Sequence, residues 1–424
     1  MTEKINCDVC VVGGGPAGLA LALSLVSRGH SVVVAEKSRS FERSFRGESV
    51  SPDSVWLLHK MGVLDGLRGQ NILDVRRIEL TDAGKTVLGV DFDTFDKPIR
   101  YPVEVPQPML LAELARVADS HPGFRLLRQL RATELLREGQ RVTGVRGESP
   151  EGPVEIRAKL TVGADGRYSK VREWAGLSHH KVPLERDFLW FTVRCPDDWS
   201  NDTYRVRIRG NTHAMCIPTY PDLVRVGVNI PKDGLKAWRS EGIERLHRRI
   251  DELAPELSTS VRDQVRAWSD TSMLEIFTST VPKWSTPGLV LIGDAAHTLS
   301  PVLAQGVNHA IIDGVRLAPM VSHALAAPGT GAALDHACLM FQQTREPHIE
   351  QARAMQLRQE KLFALATPAA QAVRRTLYRA VDRVPAVKRR IWGSLYYGLA
   401  QEGATPPSPG HAPITQAPPT TRGK

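Results

Sequence analysis

INCDVCVVGGGPAGLALALSLVSRGHSVVVAE, residues 5–36, decides the fold of this chain. Residues 5–12 form an apolar, Val-rich run suited to a strand buried on both faces of a parallel sheet. The turn Gly13-Gly14-Gly15-Pro16-Ala17-Gly18 follows, and then a helix from Ala17 to about Arg28, closed by Gly29. Residues 31–35 make a second strand that ends at Glu36. The whole is a βαβ unit. Its hexapeptide fits G-x-G-x-x-G. Gly13 permits the tight turn, Gly15 lets a pyrophosphate approach the backbone, and Gly18 lets helix and strand pack closely. The helix, opened by Pro16 and Ala17, turns its positive end toward the phosphates. Glu36 lies 18 positions past Gly18, where an acidic residue should accept ribose hydroxyls. The unit predicts dinucleotide binding; the alternative is a plain structural turn.

Outward from this unit the pattern alternates. A helix is expected at about 52–61, short alternating strands at about 76–101, a helix at 110–120 and a strand meander over 124–164 that returns to the sheet. Short β runs at 188–195, 204–209, 213–218 and 223–230 follow, separated by turn residues. Helices at about 240–253 and 258–267, a strand at 288–292, and a helix from about Gly306 to Ala326 come next. Residues 334–400 read as helical, and the Pro/Thr-rich stretch 403–424 as disordered, since it has nothing to bury. No internal repeat is visible. The expected fold class is α/β, with a Rossmann-like domain assembled from separated segments, a β-rich second domain interwoven with it, and C-terminal helices.

Two later stretches sharpen the reading. GADGRYS, residues 163–169, ends a strand on the pair Asp165-Gly166. LIGDAAHTLSPVLAQGVNHAIIDG, residues 291–314, ends another on Gly293-Asp294, runs through a loop holding Pro301, and restarts a helix at Gly306, Val307 and Asn308. With the N-terminal turn, these motifs resemble the group A flavin-dependent monooxygenases, the para-hydroxybenzoate hydroxylase-like family, over about residues 5–330. The resemblance implies non-covalent FAD, NADPH or NADH as co-substrate, and O2. It also implies hydroxylation of a small aromatic or polyketide-like molecule by a flavin hydroperoxide, so no protein nucleophile is required. It divides the chain into an FAD-binding domain (1–75, 102–180 and 278–330), a substrate domain (76–101 and 181–277) and C-terminal helices (331–402). Asp294 is then expected at a ribityl hydroxyl. The backbone N–H groups of Gly306, Val307 and Asn308 face the flavin pyrimidine. The resemblance also implies that Asp165 and Gly166 serve FAD and the nicotinamide nucleotide, and that Arg46 and Gln107 line the cofactor. Arg172 is a candidate ion-pair partner for Asp165.

Other readings of the same fold stay open. RGESVSP, residues 46–52, also looks like a flavin-dependent halogenase segment, and Leu303 stands where the hydroxylases usually have Gly. Against this, THAMCIP (212–218) has His213 and Met215 where halogenases carry two tryptophans, and no catalytic lysine is evident. A reductase that does not activate oxygen, a non-redox flavoenzyme and an empty binding scaffold are the remaining alternatives. The substrate is expected between the sheet at 188–230 and the flavin, near Trp190, Phe191, Met215, Ile217 and Tyr220. These could equally be plain core. His213 and His309 are candidate acid/base groups, but no catalytic residue is assigned.

Composition fits a folded globular protein, with 42% hydrophobic and 24% charged residues. The apolar run 19–26 is too short to cross a membrane, and no signal peptide is read, so the expected location is cytoplasmic. Cys7 and Cys10 fall within a strand and point to opposite faces, which suits core cysteines better than a metal pair. The net charge of +9 comes with no nucleic-acid signature. Residues 368–400 hold Leu377, Ala380, Val381 and Val384 at helical spacing among seven basic residues. This basic amphipathic stretch, broken at Pro385, could lie on an anionic membrane or receive a carrier protein with a tethered substrate. The favoured expectation is a docked cap closing one side of the substrate cavity, without membrane association.

Overall fold

The computed structural model describes residues 2–42, 49–70 and 72–398. The strand of the opening motif, Glu3–Val12, lies at the centre of an eight-stranded sheet. It pairs in parallel with Val32–Glu36 on one side and Gly152–Gly163 on the other. Phe124–Arg128 and Leu289–Leu291 extend the parallel order outward. Burial on both faces explains why Val9, Cys10, Val11 and Val12, and Val32, Val33, Val34 and Ala35, form continuous apolar runs rather than an alternating pattern. The antiparallel strands Arg131–Glu138 and Arg141–Ser149 continue from Gly152–Gly163.

Helix Pro16–Val26 packs against helix Gly306–Ala326, which begins at the glycine read from sequence. The contact is close: a Cβ on Gly314 would stand 2.6 Å from the Ala17 carbonyl oxygen and the Leu21 nitrogen. Only glycine lets these two backbones approach so far. The N-terminal and late motifs are thereby held side by side.

A second, seven-stranded sheet runs Ser272–Leu274, Arg186–Arg194, Leu223–Pro231, Thr212–Thr219, Thr203–Arg209, Arg77–Asp82, Lys85–Asp91. Its pairs are antiparallel except Thr203–Arg209 with Arg77–Asp82, where strands from distant parts of the sequence lie parallel. Phe191, Val193, Val226 and Val228 face a core shared with Ile250, Leu257 and Val261. The stretch read as one helix at 240–253 is two, Leu235–Ser240 and Glu244–Leu253, because Gly242 at φ +80° breaks it. The helix expected to reach 267 ends at Gln264.

The C-terminal part forms three helices, Thr330–Phe363, Pro368–Arg383 and Pro385–Tyr396. Two of the breaks fall at prolines tolerated in a first helical turn, and Pro385 splits the basic stretch as expected. The apolar face does not match the sequence reading. Arg374 and Tyr378 are buried and Val381 half-buried, whereas Leu377, Ala380 and Val384 are exposed. The reason is a buried ion pair, in which Arg374 Nη2 lies 2.8 Å from Asp82 on the second sheet, both side chains at 0% exposure. That pair fixes which face turns inward. Among the described residues no helix is long and apolar enough to cross a membrane. Cys10 is buried, but Cys7 is half-buried, its Sγ 3.3 Å from the Val9 carbonyl. Burial pushes the Cys7 thiol up to about 12, so it is not a reactive thiolate at neutral pH.

Candidate cofactor and substrate cavity

The glycine-rich turn opens into a cavity of about 1280 Å³. Gly13, Gly15, Pro16 and Ala17 line its wall. A Cβ on Gly15 would meet nothing within 4 Å, so the backbone stands bare toward open space. Gly13, at φ +111°, is forced by close approach, since a Cβ would lie 2.4 Å from the Ala164 carbonyl oxygen. Gly18 points away from the cavity, where a Cβ would stand 2.1 Å from Gly13 O. The helix cap at Gly15 has no side-chain hydrogen bond, which leaves the first N–H groups of the helix to a ligand.

Glu36 is buried and lines the same wall, its carboxylate accepting from Gly14 N at 2.8 Å and Ser38 N at 2.9 Å. Gln107 also lines it, at the start of helix Gln107–Asp119. Arg46 and the tail 403–424 lie outside the described residues.

Asp165 and Gly166 reach the cavity from the end of Gly152–Gly163. The Asp165 carboxylate accepts from Lys170 N at 2.7 Å and Val171 N at 3.1 Å, capping the short helix behind the motif. Arg172 is not its ion-pair partner. The buried guanidinium donates instead to the Ala295 carbonyl at 2.9 Å and weakly to Arg167 O at 3.4 Å. Arg172 thus ties the loop after the middle motif to the turn of the late one. Asp294 lines the cavity with Arg167 Nε at 3.7 Å.

Pro301, Gly306 and Val307 line the cavity as well. Gly293 and Asn308 stand just behind the wall and act as braces. A Cβ on Gly293, at φ +59°, would meet the Ala17 Cβ at 3.1 Å. The Asn308 amide accepts from Ser51 N at 2.8 Å and donates to Ala304 O at 2.8 Å and Ser49 O at 3.2 Å. Sequence reading missed what holds the late turn in place. Asp313 accepts from Gly293 N at 2.9 Å, and binds His297 Nε2 at 2.7 Å and Arg345 Nε at 2.8 Å. Burial would raise the Asp313 carboxyl, but His297 and Arg345 outweigh it and hold it well below the usual range. The signal for His297 and Asp313 lay in the quoted motif. Arg345, on the next helix, gave none.

On the second sheet the strand alternation decides which residues face the cavity. Trp190, Met215 and Ile217 line it, whereas Phe191 belongs to the core on the opposite face and Tyr220 stands 45% exposed in a turn. Trp190 lies across Gly227, where a Cβ would meet the indole at 2.6 Å. Arg225 lies against that ring, 5.0 Å from its centre. Phe363, Tyr378, Trp392 and Tyr396 bring the C-terminal helices into the same wall. Glu275, at the lining, accepts from Tyr168 at 2.6 Å and Lys181 at 2.7 Å, and these hydrogen bonds bring its carboxyl down to about 2.

Neither candidate histidine is placed for acid/base work. His213 is fully buried, stacked 4.2 Å from Phe363, and burial brings it down to about 3. His309 is buried at 3.0 Å from Arg345, and burial followed by that guanidinium pushes it well below the usual range. Both side chains lie outside the cavity wall.

The family model described as FAD binding domain matches residues 6–356. The chain is 35% identical over 394 residues to the 6-methylpretetramide 4-monooxygenase of Streptomyces rimosus, covering 92% of this chain and 93% of that protein. It is 26% identical to the 3-demethoxyubiquinol 3-hydroxylase of Escherichia coli (strain K12), over 71% of this chain and 76% of that protein. The crystal structure of the p-nitrophenol 4-monooxygenase PnpA from Pseudomonas putida DLL-E4 superposes with a TM-score of 0.76 at 20% identity. It covers 93% of this chain and 99% of that one.

Proposed function

Because this chain belongs to the FAD binding domain family of group A flavin monooxygenases, we propose that it hydroxylates a small aromatic or polyketide-like substrate with NAD(P)H and O2. One observation carries the reading: a single cavity of about 1280 Å³ joins the glycine-rich turn and both later motifs to the apolar face of the second sheet. A dinucleotide site alone would not need Trp190, Met215 and Ile217 in its wall.

The residues fit FAD. The bare backbone at Gly15 and the uncapped helix start suit a pyrophosphate, and Glu36 suits a ribose. Asp294, with Gly306 and Val307 opening a helix nearby, suits the ribityl chain and the flavin ring, while Gln107, Asp165 and Gly166 complete the wall. Arg46 belongs to this set by its place in the motif. Bound FAD would supply the two-electron chemistry and oxygen activation. The chain's own part is to bind, orient and exclude water. Trp190 and the tyrosines of the C-terminal helices hold a planar ring system, and the positive end of helix Gly306–Ala326 favours negative charge beside it. In this reading residues 1–75, 102–180 and 278–330 hold the cofactor, and 76–101 with 181–277 hold the substrate.

Anaerobic mixing of the flavin-loaded protein with NADH or NADPH tests the proposal. Direct reduction, faster with substrate present, is the expected result. Oxygen-18 from O2 should then appear in the product of a phenol or polyketide. Reduction only through a separate flavin reductase would overturn it in favour of a two-component, halogenase-like enzyme.

A further inference from the structure

A second cavity of about 320 Å³, which shares no lining residue with the first, lies at the end of the second sheet. Arg186 enters it from the start of strand Arg186–Arg194, and Arg245 and Arg249 from one face of helix Glu244–Leu253. Glu185 is the carboxylate in its lining. Three guanidinium groups confined with one carboxylate repel one another.

Their partners do not offset this. Arg186 makes no ion pair within 4 Å and no hydrogen bond among the described residues; the Glu360 and Glu185 carboxylates act on it only through space, and its Nη1 and the Nε of Arg245 are buried donors without an acceptor. Arg245 and Arg249 reach carboxylates outward, Glu241 at 3.4 Å and Glu252 at 3.9 Å. Burial pulls the Arg186 and Arg249 guanidinium groups below their usual range. Buried charged donors without acceptors are costly, and an oxyanion relieves the cost. The groups are also held in position. Trp238 packs under both, its ring centre 5.4 Å from Arg245 and 5.7 Å from Arg249. Asn229 is fixed alongside, accepting from His213 N at 2.6 Å.

We propose that Arg186, Arg245 and Arg249 form a binding site for phosphate, either free or as the monoester of a small molecule. The site is separate from the cofactor cavity and does not depend on the reaction assigned to it. Planar guanidinium forks match the oxygens of a tetrahedral anion, and the cavity leaves room for a molecule attached to it.

Calorimetric titration of the flavin-loaded protein with inorganic phosphate, against chloride at matched ionic strength, tests this. Loading the protein with FAD first keeps phosphate out of the glycine-rich turn. Saturable binding is expected, weakened at least tenfold in R245Q/R249Q. The variant R248Q, on the exposed side of the same helix at 58% exposure, should bind within twofold of the parent. Phosphate that competes with NADPH and not with NADH identifies the 2′-phosphate of that cofactor as a source; competition with neither identifies free phosphate. The proposal fails if no saturable binding occurs, if R245Q/R249Q binds as the parent does, or if R248Q weakens binding equally.

Discussion

Gly15 and Gly18 are three positions apart in one motif, yet the structure gives their side chains opposite consequences. A Cβ on Gly15 enters open cavity, whereas one on Gly18 strikes Gly13 O at 2.1 Å. Gly15→Glu should therefore fold and lose bound FAD, since bulk and charge replace the pyrophosphate. Gly18→Ala should cost stability itself, seen as a fall in melting temperature even in the flavin-free protein. Equal melting temperatures for the two apoproteins would contradict this division. His213 gives a pH signature of its own. Its folded value of about 3 lies below the ordinary 6.5, so the unfolded state takes up the proton first. Its contribution to stability is complete above pH 6.5 and falls by about 1.4 kcal/mol per pH unit below it, until about pH 3, and buried His309, also held below the usual range, adds a slope of the same sign. His213→Leu should remove the His213 part of that slope, leaving the His309 part, and gain about 2 kcal/mol relative to the parent between pH 7 and pH 5. Denaturant unfolding at both values checks it, in a window where Asp313 stays ionised. Single residues were legible where a motif fixes the backbone around them, as at Glu36 and Asp294. Arg345 and Arg172 were not, because their partners, Asp313 and the Ala295 carbonyl, are 32 and 123 positions away.

Elements were legible where one periodicity dominates. The Val-rich apolar run of Glu3–Val12 and the helix start at Gly306 needed no tertiary information. The helix Pro368–Arg383 was harder, because its spacing offered Leu377 and Val384 as the inward face while Arg374 is the residue that docks. A buried arginine overrides hydrophobic periodicity when an acid waits for it, and Asp82 lies on a strand 292 positions earlier. The same pair makes the helix vulnerable. Arg374→Met leaves Asp82 as an uncompensated buried charge, with Arg375 3.8 Å away as its remaining neighbour. The expected loss is about 3 kcal/mol or more. The double variant Asp82→Leu/Arg374→Met should recover much of it, because the desolvation cost disappears with the charge. Thermal unfolding of the three proteins decides, and a double variant no better than the single one would show that the pair acts by packing alone.

At the scale of the whole molecule, the two sheets and the C-terminal helices share one cavity, so substrate binding should depend on all three while FAD depends mainly on the first. Phe363, Tyr378, Trp392 and Tyr396 contribute wall that the second sheet cannot supply. These tyrosines, with Phe92 and Phe95, also form a separate apolar cluster that seats the helices. Truncation after Phe363 should therefore leave FAD bound, lower stability and weaken substrate binding at least tenfold, with more NAD(P)H oxidised per molecule of product as water enters. Trp392→Ala, which keeps the helix, should show the binding and coupling defects with a smaller loss of stability. Truncated protein that binds and couples normally would refute the cap. On the outward face of these helices Val373, Leu377, Val384 and Val387 are exposed among arginines. Such a stripe is short and interrupted at Pro385, so its hold on an anionic surface should be weak and vanish near physiological salt. Co-sedimentation with anionic vesicles at low and physiological ionic strength measures it. Binding that persists at physiological salt and disappears on truncation would mean that these helices serve a membrane surface as well as the cavity beneath them.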